Sequence, residues 1–219
     1  MKRRVLIGAA LAAIVGGAAW WQLGGQQPVG AAVAQATDYA DVDTSSITEM
    51  TMGPEDAKVT ITEYASFTCP HCATFHQTTF QELKRDYIDT DKVHFIYRDV
   101  YFDRVGLWAS MLARCAGPDR FFGISDMLYE QQKEWLAADD AVTISNNLRR
   151  IGKVAGLDED QINACFEDSE KAETLLAWFN QNKDADEISS TPTLMIDGTQ
   201  YSNMAYSELK TIIDEKLAE

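Results

Sequence analysis

Basic residues are scarce in this chain: 19 lysines and arginines stand against 34 aspartates and glutamates, for a formal net charge of −15. Such a surface repels phosphate backbones and anionic lipid, which excludes nucleic acid as a partner. Histidine and cysteine are also scarce, with three and four copies. Cys69 and Cys72 form one C-x-x-C, but no second C-x-x-C and no H-x-x-x-H pair follows, so a tetrahedral zinc site lacks two ligands. Haem attachment requires histidine directly after the second cysteine, and residue 73 is alanine. No metal or bound cofactor is expected. Low-complexity runs and internal repeats are absent, and 219 residues suffice for one packed domain carrying a large insertion.

What is there begins with residues 1–36, where "MKRR" precedes the uncharged run "VLIGAALAAIVGGAAWW", Val5 to Trp21. A positive start, an apolar stretch and small residues beyond it read as an export signal. Ala32/Ala34 or Ala34/Ala36 offers the A-x-A cleavage site, with a mature chain from Gln35 or Thr37. Residues 5–21 also read as an uncleaved membrane anchor, with Trp20 and Trp21 at its interfacial end. In both readings Lys2, Arg3 and Arg4 stay cytoplasmic and the folded part lies outside the cytoplasm.

Residues 37–57 form a polar, turn-rich lead-in with a short strand, and "MGPEDAK" closes it. "KVTITEYASF" alternates Val59 and Ile61 with Thr60 and Thr62, which predicts a strand entering a buried sheet. "CPHCATFHQTTFQELKRDY" places Cys72, Phe75/His76, Phe80 and Leu83 at helical spacing, with Pro70 tolerated in the first turn. A strand in "KVHFIYRDV" follows, so residues 58–103 read as β-α-β with a right-handed crossover between parallel strands. Residues 104–186 turn helical, with Leu107/Met111/Leu112, Ile144/Leu148/Ile151 and Leu175/Phe179 at three-to-four spacing. Residues 187–219 return to strand at "TPTLMIDGTQYSN", where Asp197-Gly198 signals a hairpin, and end in a helix through Leu209, Ile212, Ile213 and Leu217. The fold class is α/β, with a helical block inserted between two halves of a sheet.

The C-x-x-C lies where a strand becomes a helix. There a cysteine meets unpaired N–H groups and the positive end of the helix dipole, both of which favour thiolate. Cys69 is therefore expected to be the exposed, low-pKa nucleophile and Cys72, one turn further in and facing the core, the resolving thiol. His71 can donate a hydrogen bond or positive charge to the Cys69 thiolate. Each such interaction stabilises the dithiol and makes the disulfide more oxidising. The competing reading is a binding or chaperone module with a structural C-x-x-C, which predicts a buried, unreactive Cys69 and no groove beside the loop at Pro192. Cys115 and Cys165 read as a structural bridge, two isolated thiols or a second redox pair. A bridge would close a loop of about fifty residues and stabilise by about 4 kcal/mol in the chain-entropy model. His76 is expected to be a solvated helix residue and His94 a strand residue facing a helix or solvent.

The segment "EYASFTCPHC", the central Pro-His dipeptide and the loop "STPT" together resemble the DsbA-like branch of the thioredoxin superfamily, from about residue 50 to the C-terminus. The resemblance implies a thioredoxin-like fold with an inserted helical domain and an exported disulfide oxidase with a strongly oxidising Cys69-Cys72 pair. It implies a cis peptide bond at Pro192, so that the Thr191 backbone lies beside Cys69 to pair with an extended substrate. Glu63, six residues before Cys69, matches the family's buried acid and would relay a proton to or from Cys72. Ser190 stands where relatives often carry glycine, and the Cys115–Cys165 bridge resembles one present in part of the family. The implied partners are reduced folding exported proteins and a membrane DsbB-like, quinone-linked reoxidant, in the bacterial periplasm. Isomerases of the superfamily carry an N-terminal dimerisation module for which residues 37–57 are too few, which favours a monomeric oxidase over an isomerase or reductase.

Overall fold

The computed structural model describes residues 39–219, so the expected export signal or anchor lies outside the described residues. Among the described residues no helix is long and apolar enough to cross a membrane. The first element is the short lead-in strand β1 (Met50–Met52). Gly53 follows at φ 77°, and a Cβ there would meet the Val93 carbonyl oxygen at 2.2 Å, so only glycine lets the chain pass this close to the sheet. β2 (Val59–Ala65) and β3 (Val93–Asp99) pair in parallel, as their separation by helix predicts.

Between them runs α1 (Pro70–Gln77), α2 (Thr79–Leu83) and a π turn (Lys84–Ile88), rather than one continuous helix. The break falls at Thr78, with φ −127° and ψ −87°. The Thr74 hydroxyl donates to the Pro70 carbonyl and the Thr78 hydroxyl to the Thr74 carbonyl, at 3.1 and 2.7 Å. This back-bonding competes with the helical ladder, and β-branched neighbours weaken it further.

Six helices then follow: α3 (Arg104–Cys115), α4 (Pro118–Glu130), α5 (Gln132–Trp135), α6 (Ala141–Val154), α7 (Glu159–Glu167) and α8 (Ser169–Ala185). Four of them are capped by aspartates, Asp103, Asp140, Asp158 and Asp168, each accepting from a backbone N–H of the first turn. Part of the acidic excess is thus spent on helix starts. The chain returns through β4 (Thr193–Ile196) and β5 (Thr199–Ser202), joined by Asp197 and Gly198 at φ 47° and 77°, and ends in α9 (Tyr206–Ala218). Both turn residues are left-handed, which is the tight hairpin that Asp-Gly signals.

The sheet order is β1-β3-β2-β4-β5, with β2 central and parallel to β3 alone. On β2 the period of two sends Ile61, Glu63 and Ala65 to one face and Tyr64 to the other. The first face joins a core that runs without interruption into the helices, through Phe75, Leu112, Phe121, Leu128, Trp135 and Leu148. Tyr64 packs instead with Val100, Phe179 and Ile188. The helices of residues 104–186 therefore share the sheet's core. Cys115 and Cys165, on α3 and α7, form a disulfide with Cα atoms 5.8 Å apart.

Candidate active site

β2 ends at Ala65, and the turn Ser66–Cys69 closes with the Cys69 N–H donating to the Ser66 carbonyl at 3.0 Å. Cys69 is the N-cap of α1 and Pro70 its first residue. An N-cap side chain ordinarily accepts from the N–H groups of the second and third helical residues, which here are His71 and Cys72. Cys69 and Cys72 are free thiols, so the pair is in its dithiol form. Cys69 is only 7% exposed, which corrects the expectation of an exposed nucleophile: the loop carrying Thr191 packs against its sulfur. The Cys69 thiol is lowered to about 5, first by the hydrogen bond from the Cys72 side chain, then by the Thr191 side chain and the main-chain N–H groups of Cys72 and His71, against a desolvation that raises it. His71 thus contributes its main-chain N–H, and its ring lies in an exposed residue.

Cys72 is fully buried, and burial pushes its thiol far up; its hydrogen bond to Cys69 and the charge of Glu63 act in the same direction. The two thiols are therefore divided in character by one helical turn.

The register β2–β4 pairs Tyr64 with Thr193, which sets the residues just before β4 against the turn after β2. The Thr191–Pro192 peptide is cis, and the Cys69 Sγ lies 3.6 Å from the Thr191 carbonyl oxygen. The Thr193 hydroxyl spans the turn to the Ser190 carbonyl at 2.8 Å, so serine occupies that loop without disturbing the closure. Beside it opens a groove of about 390 Å³ lined by Tyr101, Phe102, Phe179, Ile188, Ser190 and Thr191 among others. Phe102 on its rim is 61% exposed.

Behind the pair, Glu63 is fully buried between Tyr97 of β3 and Leu194 of β4. Its Oε2 lies 2.8 Å from the Nε2 of His76. His76 is 3% exposed, which corrects the expectation of a solvated residue. The reason is helical spacing: four residues beyond Cys72 it lies on the same inward face, where its ring stacks on Tyr129 at 4.1 Å and tilts against Phe80 at 4.5 Å. The sequence signal was present, since His76 shares an apolar stripe with Phe75 and Phe80. His94 is buried on β3, with Nδ1 3.3 Å from the Gly53 carbonyl oxygen.

A further residue was not visible in the sequence. Gln132, at the start of α5 and 5% exposed, donates through Nε2 to the carbonyls of Phe67 and Cys69 at 2.8 and 2.9 Å. It ties the helical block to the turn that presents Cys69. The arrangement can hold one thiol as a thiolate, keep its partner protonated, and offer a backbone edge beside Cys69.

The family model described as Thioredoxin matches residues 45–215. A Rickettsia bellii protein whose name assigns it provisionally to the protein-disulfide oxidoreductases is 34% identical over 176 residues, covering 78% of this chain and 65% of that protein's length. Disulfide bond formation protein D of Bacillus subtilis is 27% identical, with 76% of each chain covered. The crystal structure of Wolbachia pipientis alpha-DsbA1 superposes with a TM-score of 0.72 at 24% identity, covering 78% of this chain and 92% of that one. At that identity the likeness establishes the fold.

Proposed function

The chain belongs to the thioredoxin family, and from that premise we propose that it is an exported thiol:disulfide oxidoreductase that introduces disulfide bonds into folding proteins through Cys69 and Cys72. The observation that carries the reading is the contrast between the two thiols, Cys69 held at about 5 and Cys72 pushed far up. A client thiolate attacks the Cys69 Sγ of the oxidised pair, the S–S bond breaks, and Cys72 leaves and takes up a proton. A second client thiol then attacks the mixed disulfide and releases the Cys69 thiolate, which is a good leaving group because its pKa is low.

Thr191 and Pro192 supply the edge on which an extended client lies, and the groove beside them, with its exposed Phe102, offers apolar contact. A module with a structural C-x-x-C would share the burial of Cys69 but would lack both this groove and a thiol held so low. Glu63 acts as the proton donor and acceptor for Cys72. The Cys115–Cys165 bridge is structural. Turnover requires a reoxidant, a quinone-linked DsbB-like membrane protein, and the enzyme acts as a monomer in the bacterial periplasm.

The test is the Cys69–Cys72 equilibrium against glutathione, measured on a variant with Cys115→Ser and Cys165→Ser so that one disulfide reports. A potential well above that of the glutathione pool is expected, since stabilising the thiolate favours the dithiol. A potential near thioredoxin's, about −270 mV, would replace the oxidase with a reductase.

A further inference from the structure

Cys72 exchanges a proton each time the pair changes redox state, yet both Cys72 and Glu63 are fully buried. A buried acid can serve repeated turnovers only if it is itself recharged from water. Behind Glu63 stands His76, whose Nε2 is 2.8 Å from Oε2. Its other ring nitrogen, Nδ1, is buried and has no hydrogen-bond partner, and neither has the Oε1 of Glu63. A histidine kept for packing would have both nitrogens satisfied, because a buried orphan costs free energy.

His76 is also among the residues lining a cavity of about 100 Å³, with Gln77, Gln81, Asp126, Tyr129 and Glu130. That volume accommodates water, and the exposed Gln77, Gln81 and Glu130 bring it to the surface. The groups facing His76 are Glu63 of β2, Tyr97 of β3, and Asp126, Tyr129 and Glu130 of α4, with Cys72 on its own helix. Partial burial raises the pKa of Asp126, with smaller effects from His76, Glu130 and Lys84, so its carboxyl is in electrostatic reach of the ring.

Resting on the disulfide-exchange reading above, we propose that His76 is the proton relay between Glu63 and this solvent-reaching cavity, acting on Cys72 through Glu63. When a client thiolate breaks the Cys69–Cys72 bond, the electron pair goes to the Cys72 Sγ. Glu63 gives it a proton, His76 Nε2 restores that proton to Glu63, and Nδ1 takes one from the cavity. When a partner disulfide reoxidises the dithiol, the Cys72 proton leaves by the same route outward. One proton enters and one leaves per cycle, so the ring returns to its starting tautomer.

The test is stopped-flow reduction of the Cys69–Cys72 disulfide by dithiothreitol from pH 5 to 8, in the wild-type chain and in His76→Gln. Glutamine can keep a hydrogen bond to Glu63 but cannot pass a proton on. Expected is a reduction rate at least about tenfold lower, short of the about 10²–10⁴-fold that a general acid or base itself contributes because His76 acts through Glu63, and a loss of the wild-type pH profile. Alkylation of the Cys69 thiolate in the dithiol form needs no proton on Cys72, so its rate should stay within about twofold. An unchanged reduction rate overturns the relay, and so does an equal fall in both rates, which would mean that the helix start has been distorted. If circular dichroism shows His76→Gln unfolded, Asp126→Asn on the cavity rim decides: a reduction rate slowed about threefold supports the relay and an unchanged one overturns it. Failure of the oxidase reading would appear separately, in the glutathione equilibrium of the protein with native His76.

Discussion

Cys69 fills a position that serine or aspartate takes at most helix starts, and although its sulfur makes no cap hydrogen bond, the nearby N–H groups of Cys72 and His71 help to lower its thiol. An ordinary thiol titrates near about 8.5, whereas Cys69 is held at about 5. Between those values the unfolded chain binds more protons than the folded dithiol, so folded-state stability rises with pH through that window and the contribution is lost as pH falls to about 5. The rate of Cys69 alkylation should therefore titrate with a midpoint near 5, and the stability difference between the dithiol protein and Cys69→Ala should shrink steadily from pH 8 to pH 5. A difference that does not change with pH would count against a native thiolate. At this scale the cysteines were legible because spacing alone puts them on one helical turn. The burial of His76 was missed because histidine in an apolar stripe was read by its polarity rather than by its place on the helix face.

Elements decide how firmly that thiolate is presented. Gln132 reaches from α5 to two carbonyls of the active-site turn, of which that of Cys69 also accepts from the Ala73 N–H. Replacing it by leucine leaves the Phe67 carbonyl without this partner in a buried setting, at a cost of about 1–3 kcal/mol. Urea unfolding of Gln132→Leu should show that loss. Because the same contact orients the start of α1, the alkylation midpoint of Cys69 should also move upward. A loss of stability with the midpoint unmoved would make Gln132 a packing residue only. No local pattern could announce this contact, since 63 residues separate Gln132 from Cys69. The Asp197-Gly198 hairpin was legible for the opposite reason: its conformation is set by the two residues that form it. The break at Thr78 lies between these cases, because the threonines were in view but their hydroxyls' competition with the helix ladder depends on geometry.

For the molecule as a whole, the helices of residues 104–186 and the sheet bury side chains in one continuous cluster, with Phe95 and Phe75 on one side and Leu112, Phe121 and Leu148 on the other. The buried pair between Arg114 of α3 and Asp99 of β3, with an N–O distance of 2.7 Å, crosses the same boundary. The sequence marks the helical stretch as a separate block through its change of period, but which of its faces the sheet covers is a tertiary fact. A shared core means that neither part retains its stability when the other melts. The Cys115–Cys165 bridge spans 50 residues of the helical part and, in the chain-entropy model, contributes about 4 kcal/mol. Its removal by Cys115→Ser with Cys165→Ser should lower the melting temperature by about 8–16 °C, at about 2–4 °C per kcal/mol for a domain of this size. Because the core is continuous, loss of helix seen in the far ultraviolet and loss of packing around the buried Trp135 should coincide in one transition, before and after removal. Two separated transitions in the variant would mean that the bridge, rather than the common core, couples the helices to the sheet.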